Sequence, residues 1–277
     1  MHNAACKVPP DARTGVQVPN ERAPSARAHC VAALYDLHGN LPALDAAIDR
    51  AEAAHADCFV IGGDIALGPM PGEVLDRLAA LGPRALYLRG NCDRLMVDAC
   101  DGRPIASVPA AVRDNVVWAA AQLDRQQRDF LAALPMTITV DVDSLGAVLF
   151  CHATPRSDDE IFTRRTPDDR LRPMLSTTHE AIIVCGHTHM QFQRRLDGAQ
   201  IVNAGSVGMP FGAAGAHWLR LGPGIELERT EYDLASAAAR IRRTAYPQAA
   251  EFASRYVLDP PSEAEMLAAF EAAPKLG

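Results

Sequence analysis

The chain lacks the features that mark several large classes of protein. None of its apolar stretches approaches the roughly 18 to 20 residues of a membrane-spanning helix, and the first 30 residues lack the apolar middle region of a signal peptide. Positive charge is not in excess, because 27 Lys and Arg face 34 Asp and Glu, for a net charge of −7. Membrane insertion, secretion and a groove for nucleic acid are therefore not expected, and a cytoplasmic location is the default.

The cysteines form no recognisable framework. They are odd in number and show no CxxC spacing, so neither a disulfide scaffold nor a zinc knuckle is indicated. Internal repeats and low-complexity tracts are also missing. We interpret the seven cysteines mainly as small buried apolar residues: Cys6, Cys30, Cys58, Cys92, Cys100, Cys151 and Cys185.

The arrangement of residues along the chain predicts three regions. Residues 1–28 mix Pro, Ala, Arg, Asn and Gly without periodicity and are predicted to be a disordered leader. Residues 29–277 are predicted to form a single large α/β domain, within which 233–277 form a helical C-terminal extension or cap. Between 30 and 88 the order is β-α-β-α-β, which favours parallel strand pairing.

Local patterns predict the remaining elements. Helices are expected over 71–81, over 105–134 as one or two segments, from near Thr166, and over 234–241 and 262–273. A hairpin-like strand pair is expected from 136–142 and 147–151, followed by a strand at 181–185. After residue 190, short strands separated by Gly and Pro indicate antiparallel pairing.

Five short segments contain residues that commonly bind metal ions. Most of them follow an apolar run of about four to six residues, which is the pattern of a buried strand that delivers a side chain at its carboxyl end. The segments are Asp36-Leu37-His38-Gly39-Asn40, Gly62-Gly63-Asp64, Gly90-Asn91-Cys92-Asp93, Cys151-His152 and Gly186-His187-Thr188-His189.

The residue types in these segments suit a centre that holds two metal ions. Carboxylate with imidazole is the mixture that binds Mn, Fe, Zn or Ni, and such a centre also needs a bridging group. Asp36 and His38 lie two residues apart, so they could point the same way from an extended strand end; His187 and His189 have the same spacing. Glycines before Asp64 and Asn91 remove side chains where the backbone passes close to a crowded centre.

A structural role is the simpler explanation for any single histidine, but the five segments together indicate a two-metal hydrolase. The other five histidines are interpreted as ordinary residues: His2, His29, His55, His179 and His217.

The ordered set of segments resembles the calcineurin-like metallophosphoesterase superfamily, and particularly its short bacterial and archaeal phosphodiesterase branch, from about residue 29 to residue 245. The resemblance implies an α/β fold, a four-layer α/β/β/α sandwich with two mixed β-sheets flanked by helices. It also implies two divalent transition-metal ions, Mn first, with Fe, Zn or Ni as alternatives. By this resemblance Asp36, His38, Asp64 and His189 would bind one ion, and Asp64, Asn91, His152 and His187 the other.

The resemblance also implies an activity. A hydroxide bridging the two ions would attack phosphorus in line, with Asp64 and Asn91 as the catalytic ligands. The first hypothesis is a phosphodiesterase acting on a small, possibly nucleotide-like ester, and the second is a phosphomonoesterase or dinucleoside-polyphosphate hydrolase. A third is a non-catalytic protein-interaction scaffold like the retromer subunit of similar fold, which the complete ligand set disfavours. The oligomeric state and the physiological substrate stay open.

Three residues beside the ligands are candidate substrate contacts. They are Asn40, Cys92 and Arg156, although Arg156 fits a solvated loop residue equally well. Cys92 stands where many relatives carry a histidine that assists the leaving group, and a thiol is a poorer acid without positive charge. The short phosphodiesterase branch is similar in lacking that histidine, so we expect no difficult leaving groups such as alkyl alcohols. A small space-filler is the simpler role for Cys92.

Overall fold

The structure is a computed structural model that describes residues 26–105 and 108–272. Its strands, in chain order, are β1 (Ala26–Ala28), β2 (Val31–Leu34), β3 (Cys58–Ile61), β4 (Ala85–Tyr87), β5 (Thr137–Val142), β6 (Gly146–Cys151), β7 (Ile182–Cys185), β8 (Phe192–Leu196), β9 (Ala199–Asn203), β10 (Ala216–Leu221) and β11 (Ile225–Thr230). Its α-helices are α1 (Leu41–Ala53), α2 (Pro71–Ala79), α3 (Asn91–Cys100), α4 (Ala110–Ala120), α5 (Arg125–Ala132), α6 (Asp168–Met174), α7 (Leu234–Arg242), α8 (Ala249–Phe252) and α9 (Glu263–Ala272). A π-helical segment, Ala253–Leu258, follows α8, and a 3-10 turn, Gly82–Arg84, precedes β4.

The strands form two mixed sheets. One has the order β11-β10-β2-β3-β4, in which β2, β3 and β4 are parallel and β10 and β11 are antiparallel. The other has the order β1-β5-β6-β7-β9-β8, with β6, β7 and β9 parallel. The predicted β-α-β-α-β unit and the predicted hairpin are confirmed. Of the later strands, β8 and β9 pair antiparallel as expected, while β9 also pairs parallel with β7.

Alternation along the strands builds four layers. In β2, Val31 and Ala33 face apolar residues of the second sheet such as Phe150, whereas Ala32 and Leu34 face the helices on the outer side. In β6, Cys151 turns instead toward α6. Burying a side chain as large as Val31, Leu34 or Phe150 contributes about 1.5–3 kcal/mol to the stability of the fold. The predicted four-layer sandwich with two mixed sheets is confirmed.

Two local predictions differ from the structure. Ala26–Ala28 was included in the predicted leader but forms β1, which pairs parallel with β5; residues 1–25 lie outside the described part of the chain. Helix α3, which begins at Asn91, was not predicted. Its start is set by Gly90 in an extended conformation and by Asp93 Oδ2, which accepts a hydrogen bond from the Gly90 amide at 2.9 Å.

The C-terminal helices pack on two different parts of the fold. Helix α7 buries Ala237, Ala238 and Ile241 in the core between the first sheet and its helices. Helix α9 buries Leu267 in a separate small cluster with Met190 and Phe211. In the part of the chain that the structure describes, no helix is long and apolar enough to cross a membrane.

Candidate metal centre

The carboxyl ends of five strands deliver the candidate ligands to one place. Two ligands follow β2, one each follows β3 and β6, two follow β7, and Asn91 follows β4 at the first turn of α3. Backbone hydrogen bonds join the loops: the amide of Asp36 donates to Gly63 O at 3.2 Å, and that of His38 donates to Asp64 O at 2.9 Å. The parallel strands therefore bring residues that are distant in sequence to one edge of the sandwich.

Asp36, His38 and His189 form what we term the first ligand group. One ligand atom from each lies within 4.8 Å of the other two, and all three residues are buried. His38 Nε2 and His189 Nε2 are 3.2 Å apart, and Asp36 Oδ1 is 3.4 Å from His189 Nε2. Asp36 Oδ1 is buried without a hydrogen-bond partner, which is costly unless a cation or other donor satisfies it. The group therefore fits a metal ion.

Asp64, His152 and His187 form the second ligand group. Their ligand atoms also lie within 4.8 Å of one another. His152 Nε2 is 3.5 Å from Asp64 Oδ1 and 3.1 Å from Asn91 Oδ1, so the Asn91 amide joins this group. His187 and Asn91 are half-buried, whereas Asp64 and His152 are buried. An opening on this side leaves the second group nearer to solvent than the first.

Asp64 of the second ligand group also faces the first. Its Oδ2 is 3.7 Å from His38 Nε2 of the first group, while its Oδ1 faces His152 of the second. Asp64 Oδ1 also accepts a hydrogen bond from the Cys92 amide at 2.8 Å. Each oxygen of Asp64 therefore faces a different set of candidate ligands, which suits a carboxylate that bridges two metal ions.

The backbone at the candidate ligands is strained. Among the described residues, seven other than glycine have a positive φ, and only His55 and Asp197 of these lie outside the candidate set. The other five are Asp36, His38, Asp64, His187 and His189, with φ between 45° and 65°. The expectation of an extended strand end at Asp36 and His38 is therefore wrong. A left-handed conformation costs about 1–2 kcal/mol per residue, and such strain clusters at functional sites.

Glycines clear the space that these turns need, as was predicted for Gly90 but not for Gly186. A Cβ atom on Gly90 would lie 2.1 Å from Asp64 Oδ1, and one on Gly186 would lie 2.5 Å from Asp36 Oδ2. Both distances are far below van der Waals contact. The two carboxylates therefore occupy positions that only a glycine backbone leaves open.

Backbone carbonyls orient three of the four imidazoles. Nδ1 of His38 lies 3.3 Å from Leu67 O, that of His152 lies 2.8 Å from Gly62 O, and that of His189 lies 2.7 Å from Met209 O. A carbonyl oxygen can only accept, so the Nδ1–H must donate to it. Nε2 of each ring consequently faces the centre, in the arrangement that orients histidine ligands of metal ions.

Buried charges of opposite sign face one another in the centre. Burial opposes ionisation of Asp64, but His152 and His38 outweigh it and hold the pKa of its carboxyl well below the usual range. Burial also opposes protonation of His152, yet Asp64 and Asp36 raise its pKa to about 10. For His38 and His187 burial dominates, with a neighbouring imidazole adding to it, and lowers each pKa to about 4. A divalent ion bound by His152 would displace the proton that this ring carries.

Three residues that support the centre were not assigned a role from sequence. Asp93 accepts hydrogen bonds from the amides of Ile65 and Gly90, both at 2.9 Å, and thereby joins the loops after β3 and β4. Ser206 Oγ donates to Asp36 O at 2.8 Å. The Phe211 ring stacks on His189 with centroids 4.9 Å apart and a 23° angle between planes. Asp93 lies within a quoted motif, whereas nothing in the local sequence around Phe211 signals its contact.

Two of the predicted substrate contacts have other partners. Asn40 is fully buried: its Nδ2 donates to Gly208 O at 2.9 Å, and its Oδ1 accepts from the Ala43 amide as the cap of α1. These bonds argue against the predicted substrate contact at Asn40. Arg156 donates from Nε to Glu160 at 3.0 Å and from Nη1 to Pro173 O at 3.1 Å.

Cys92, the third predicted contact, lies beside Asp64 and is half-buried. Its Sγ accepts a hydrogen bond from Asn91 Nδ2 at 3.6 Å. Burial and, secondarily, the charge of Asp64 raise the pKa of its thiol, which is therefore neutral without a metal ion. The sulfur also forms a third set of possible metal ligands with His38 and Asp64.

Comparison with known proteins supports the fold and identifies the family. Among solved structures, the fold is similar to that of a hypothetical protein from Pyrococcus horikoshii OT3, with a TM-score of 0.72 and 20% identity over 85% of this chain and 100% of that one. A metallophosphoesterase from Sphaerobacter thermophilus gives a TM-score of 0.66 and 24% identity, covering 83% of this chain and 98% of that one. No match was found among curated proteins. The family model for the calcineurin-like phosphoesterase superfamily domain matches residues 30–221, well over half of the sequence. The chain therefore belongs to the calcineurin-like phosphoesterase superfamily.

Proposed function

We propose that this protein is a phosphoesterase that uses two divalent metal ions, Mn first, and acts on small phosphodiesters. The observation that carries the proposal is the position of Asp64, whose two carboxylate oxygens face different ligand groups at 3.5 and 3.7 Å. A carboxylate held in this way serves two ions at once. When bound, the two ions supply an activated water near neutral pH and neutralise the phosphoryl oxygens.

In this proposal the protein positions the ions by rigid supports. The first ligand group holds one ion with the help of Asp64, and the second ligand group with Asn91 holds the other. Carbonyl contacts fix the rings of His38, His152 and His189, so little reorganisation is needed when the ions bind. The substrate would approach from the side of the half-buried residues His187 and Asn91.

The residues that could assist the leaving group favour phosphodiesters over phosphomonoesters as substrates. Cys92 lies beside Asp64 and provides a neutral thiol where an imidazolium would otherwise assist departure of the leaving group. Arg156 is engaged with Glu160 and Pro173, so it does not offer a free guanidinium for a dianionic monoester. We infer that the substrates are singly charged esters whose leaving groups depart with little protonation.

A metal-supplemented activity screen tests the proposal. Metal-depleted protein would be loaded separately with Mn²⁺, Fe²⁺, Ni²⁺ or Zn²⁺ and assayed on a bis-aryl phosphate, an aryl phosphomonoester and a dinucleoside polyphosphate. We expect hydrolysis with Mn²⁺ and a higher kcat/KM for the bis-aryl phosphate than for the monoester.

The controls separate the parts of the proposal. Asp64→Asn should lose the activity, which excludes a contaminating phosphatase. If no metal supported hydrolysis of any of the three substrates, the proposal that the protein is a phosphoesterase would be refuted. Faster hydrolysis of the monoester, or of the dinucleoside polyphosphate, would refute the choice of diesters and leave the metal centre in place.

A further inference from the structure

The sulfur of Cys92 belongs to a third set of possible metal ligands. This set combines Cys92 with one residue from each of the two ligand groups. Cys92 Sγ, a ring nitrogen of His38 and a carboxylate oxygen of Asp64 all lie within 4.8 Å of one another. The Cys92 amide donates to Asp64 Oδ1 at 2.8 Å, and Asn91 Nδ2 donates to the sulfur at 3.6 Å. These bonds hold the thiol beside the candidate bridging carboxylate. We term His38, Asp64 and Cys92 the thiol site.

The thiol site differs from the two ligand groups in ligand chemistry. Sulfur, imidazole and carboxylate together suit Zn²⁺ and other thiophilic ions such as Cd²⁺, whereas Mn²⁺ and Mg²⁺ prefer oxygen ligands. Cys92 is the only half-buried residue of the three. The other two members are buried and oriented, because His38 Nδ1 lies against Leu67 O and its Nε2 faces Asp64 at 3.7 Å.

The thiol site shares its ligands with the proposed binuclear centre. His38 can give Nε2 to one ion at a time, since its Nδ1 contacts a backbone carbonyl. Asp64 is needed by both ions of the proposed centre. An ion held by Cys92, His38 and Asp64 therefore competes with the arrangement that hydrolysis would use.

We propose that the thiol site captures Zn²⁺ or Cd²⁺ through a sulfur bond and thereby withdraws His38 and Asp64 from the binuclear arrangement. As the metal–sulfur bond forms, the S–H bond breaks and its proton passes to solvent, and the ion keeps its oxidation state. Binding itself does not depend on the proposed function. The inhibition that follows from it rests on the proposed phosphoesterase activity.

The other cysteines of the described chain do not offer an equivalent site. Cys58, Cys151 and Cys185 are buried, Cys30 and Cys100 are half-buried, and none of these five belongs to a set of possible metal ligands among the described residues. Cys100 is half-buried like Cys92 and donates to a backbone carbonyl, that of Ala120, at 3.4 Å. Cys100 is therefore the matched control for substitution.

A spectroscopic titration tests the binding. Metal-depleted full-length protein carrying Cys6→Ser, which removes a thiol outside the described residues, would be titrated with Cd²⁺ and followed by thiolate-to-metal charge-transfer absorption in the ultraviolet. We expect a band that saturates, that disappears in Cys92→Ser and that remains in Cys100→Ser. Cys92→Ser should also weaken Cd²⁺ binding at least about tenfold while Mn²⁺ binding, followed by electron paramagnetic resonance, is retained.

The titration tests metal binding at the thiol site even if the protein has no enzymatic activity. Absence of the band, or its persistence in Cys92→Ser, would overturn the proposal. A second measurement adds the functional consequence: Zn²⁺ should inhibit the Mn²⁺-loaded protein, and Cys92→Ser should need about tenfold more Zn²⁺ for the same fractional inhibition. If no hydrolysis is found with any metal, the proposed function fails while the charge-transfer band still reports on the thiol site.

Discussion

The two ligand groups of the candidate centre have different surroundings. All three residues of the first group are buried, and His189 is backed by the Phe211 ring, which in turn contacts Phe270 of α9 at 6.4 Å between centroids. The second group is more open, with His187 and Asn91 half-buried. The first group therefore depends on apolar packing that includes the C-terminal helix, whereas the second depends on polar contacts near solvent. Substitutions should distinguish the two ions that we propose these groups bind.

Substitution of Asp64, which faces both ligand groups, should weaken metal binding at both. Asp64→Asn removes the negative charge that faces both groups, so we expect both ions to bind far more weakly. Because even outer partners of a metal site cost about 10–100-fold, the loss of metal affinity and of kcat/KM should exceed about 100-fold. Metal content by mass spectrometry and calorimetric titration with Mn²⁺ measure it. Retention of one tightly bound ion would show that Asp64 serves one group alone.

Two substitutions in one loop should separate the groups. His189→Ala removes a ligand of the first group, and His187→Ala removes one of the second, although the two residues lie two positions apart. We expect each variant to keep about one ion per chain, since the other group stays complete. The ion that remains should differ in exposure, and its exchange with added metal should be faster in His189→Ala, where the more open group is retained. Identical metal content and exchange in both variants would contradict separate groups.

Much of this arrangement was predictable from sequence because it is local. Asp36, Asp64 and His152 each follow an apolar strand, and the carboxyl ends of parallel strands meet at one edge. The cap role of Asn40 also has a local signal, since an Asn followed by Leu41 and Pro42 is typical of a helix start. The predicted substrate role of Asn40 rests only on its position two residues after His38.

Other parts depend on contacts that no local pattern records. The left-handed turns at His187 and His189 follow from backbone bonds to other loops, such as that from the Gly186 amide to His152 O at 2.8 Å. Similarly, Phe211 reaches His189 only because the loop after β9 folds back over the loop after β7. Contacts between distant segments are determined by packing, and a single sequence does not show which segments meet.

Proton release should accompany metal binding at the second ligand group. Asp64 and Asp36 raise the pKa of His152 to about 10, and Asp36 raises that of His189 against the effect of burial. The His152 ring is therefore protonated at neutral pH, and a metal ion must displace that proton. Metal affinity should consequently fall as the pH falls, by about tenfold per displaced proton and pH unit, and keep rising toward pH 10. Calorimetry of Mn²⁺ binding in buffers with different ionisation enthalpies counts the protons; a count of zero would contradict these pKa shifts.

The packing behind the first group should matter less than its ligands. Phe211→Leu removes the ring that stacks on His189, so we expect about tenfold weaker binding of the first ion with the second unchanged. Phe192→Leu is the matched control, because Phe192 is also buried and in contact with another ring, that of Phe162, in a different cluster. Calorimetric titration of both variants measures the two affinities. If Phe211→Leu and Phe192→Leu weakened the binding of both ions equally, the Phe211 ring would contribute only to the general stability of the fold.

The smallest effect on metal affinity and activity is expected from substitution of Arg156, which lies outside both ligand groups. Arg156 is partly exposed and pairs with Glu160, which also accepts a hydrogen bond from Thr154, two residues after His152 of the second group. A partly exposed pair of this kind contributes about 0–1 kcal/mol. Arg156→Gln should therefore change metal affinity and kcat/KM for a bis-aryl phosphate by less than about fivefold. A much larger loss confined to KM would restore Arg156 as a substrate contact, and it would show that the open side of the second group binds the substrate through this loop.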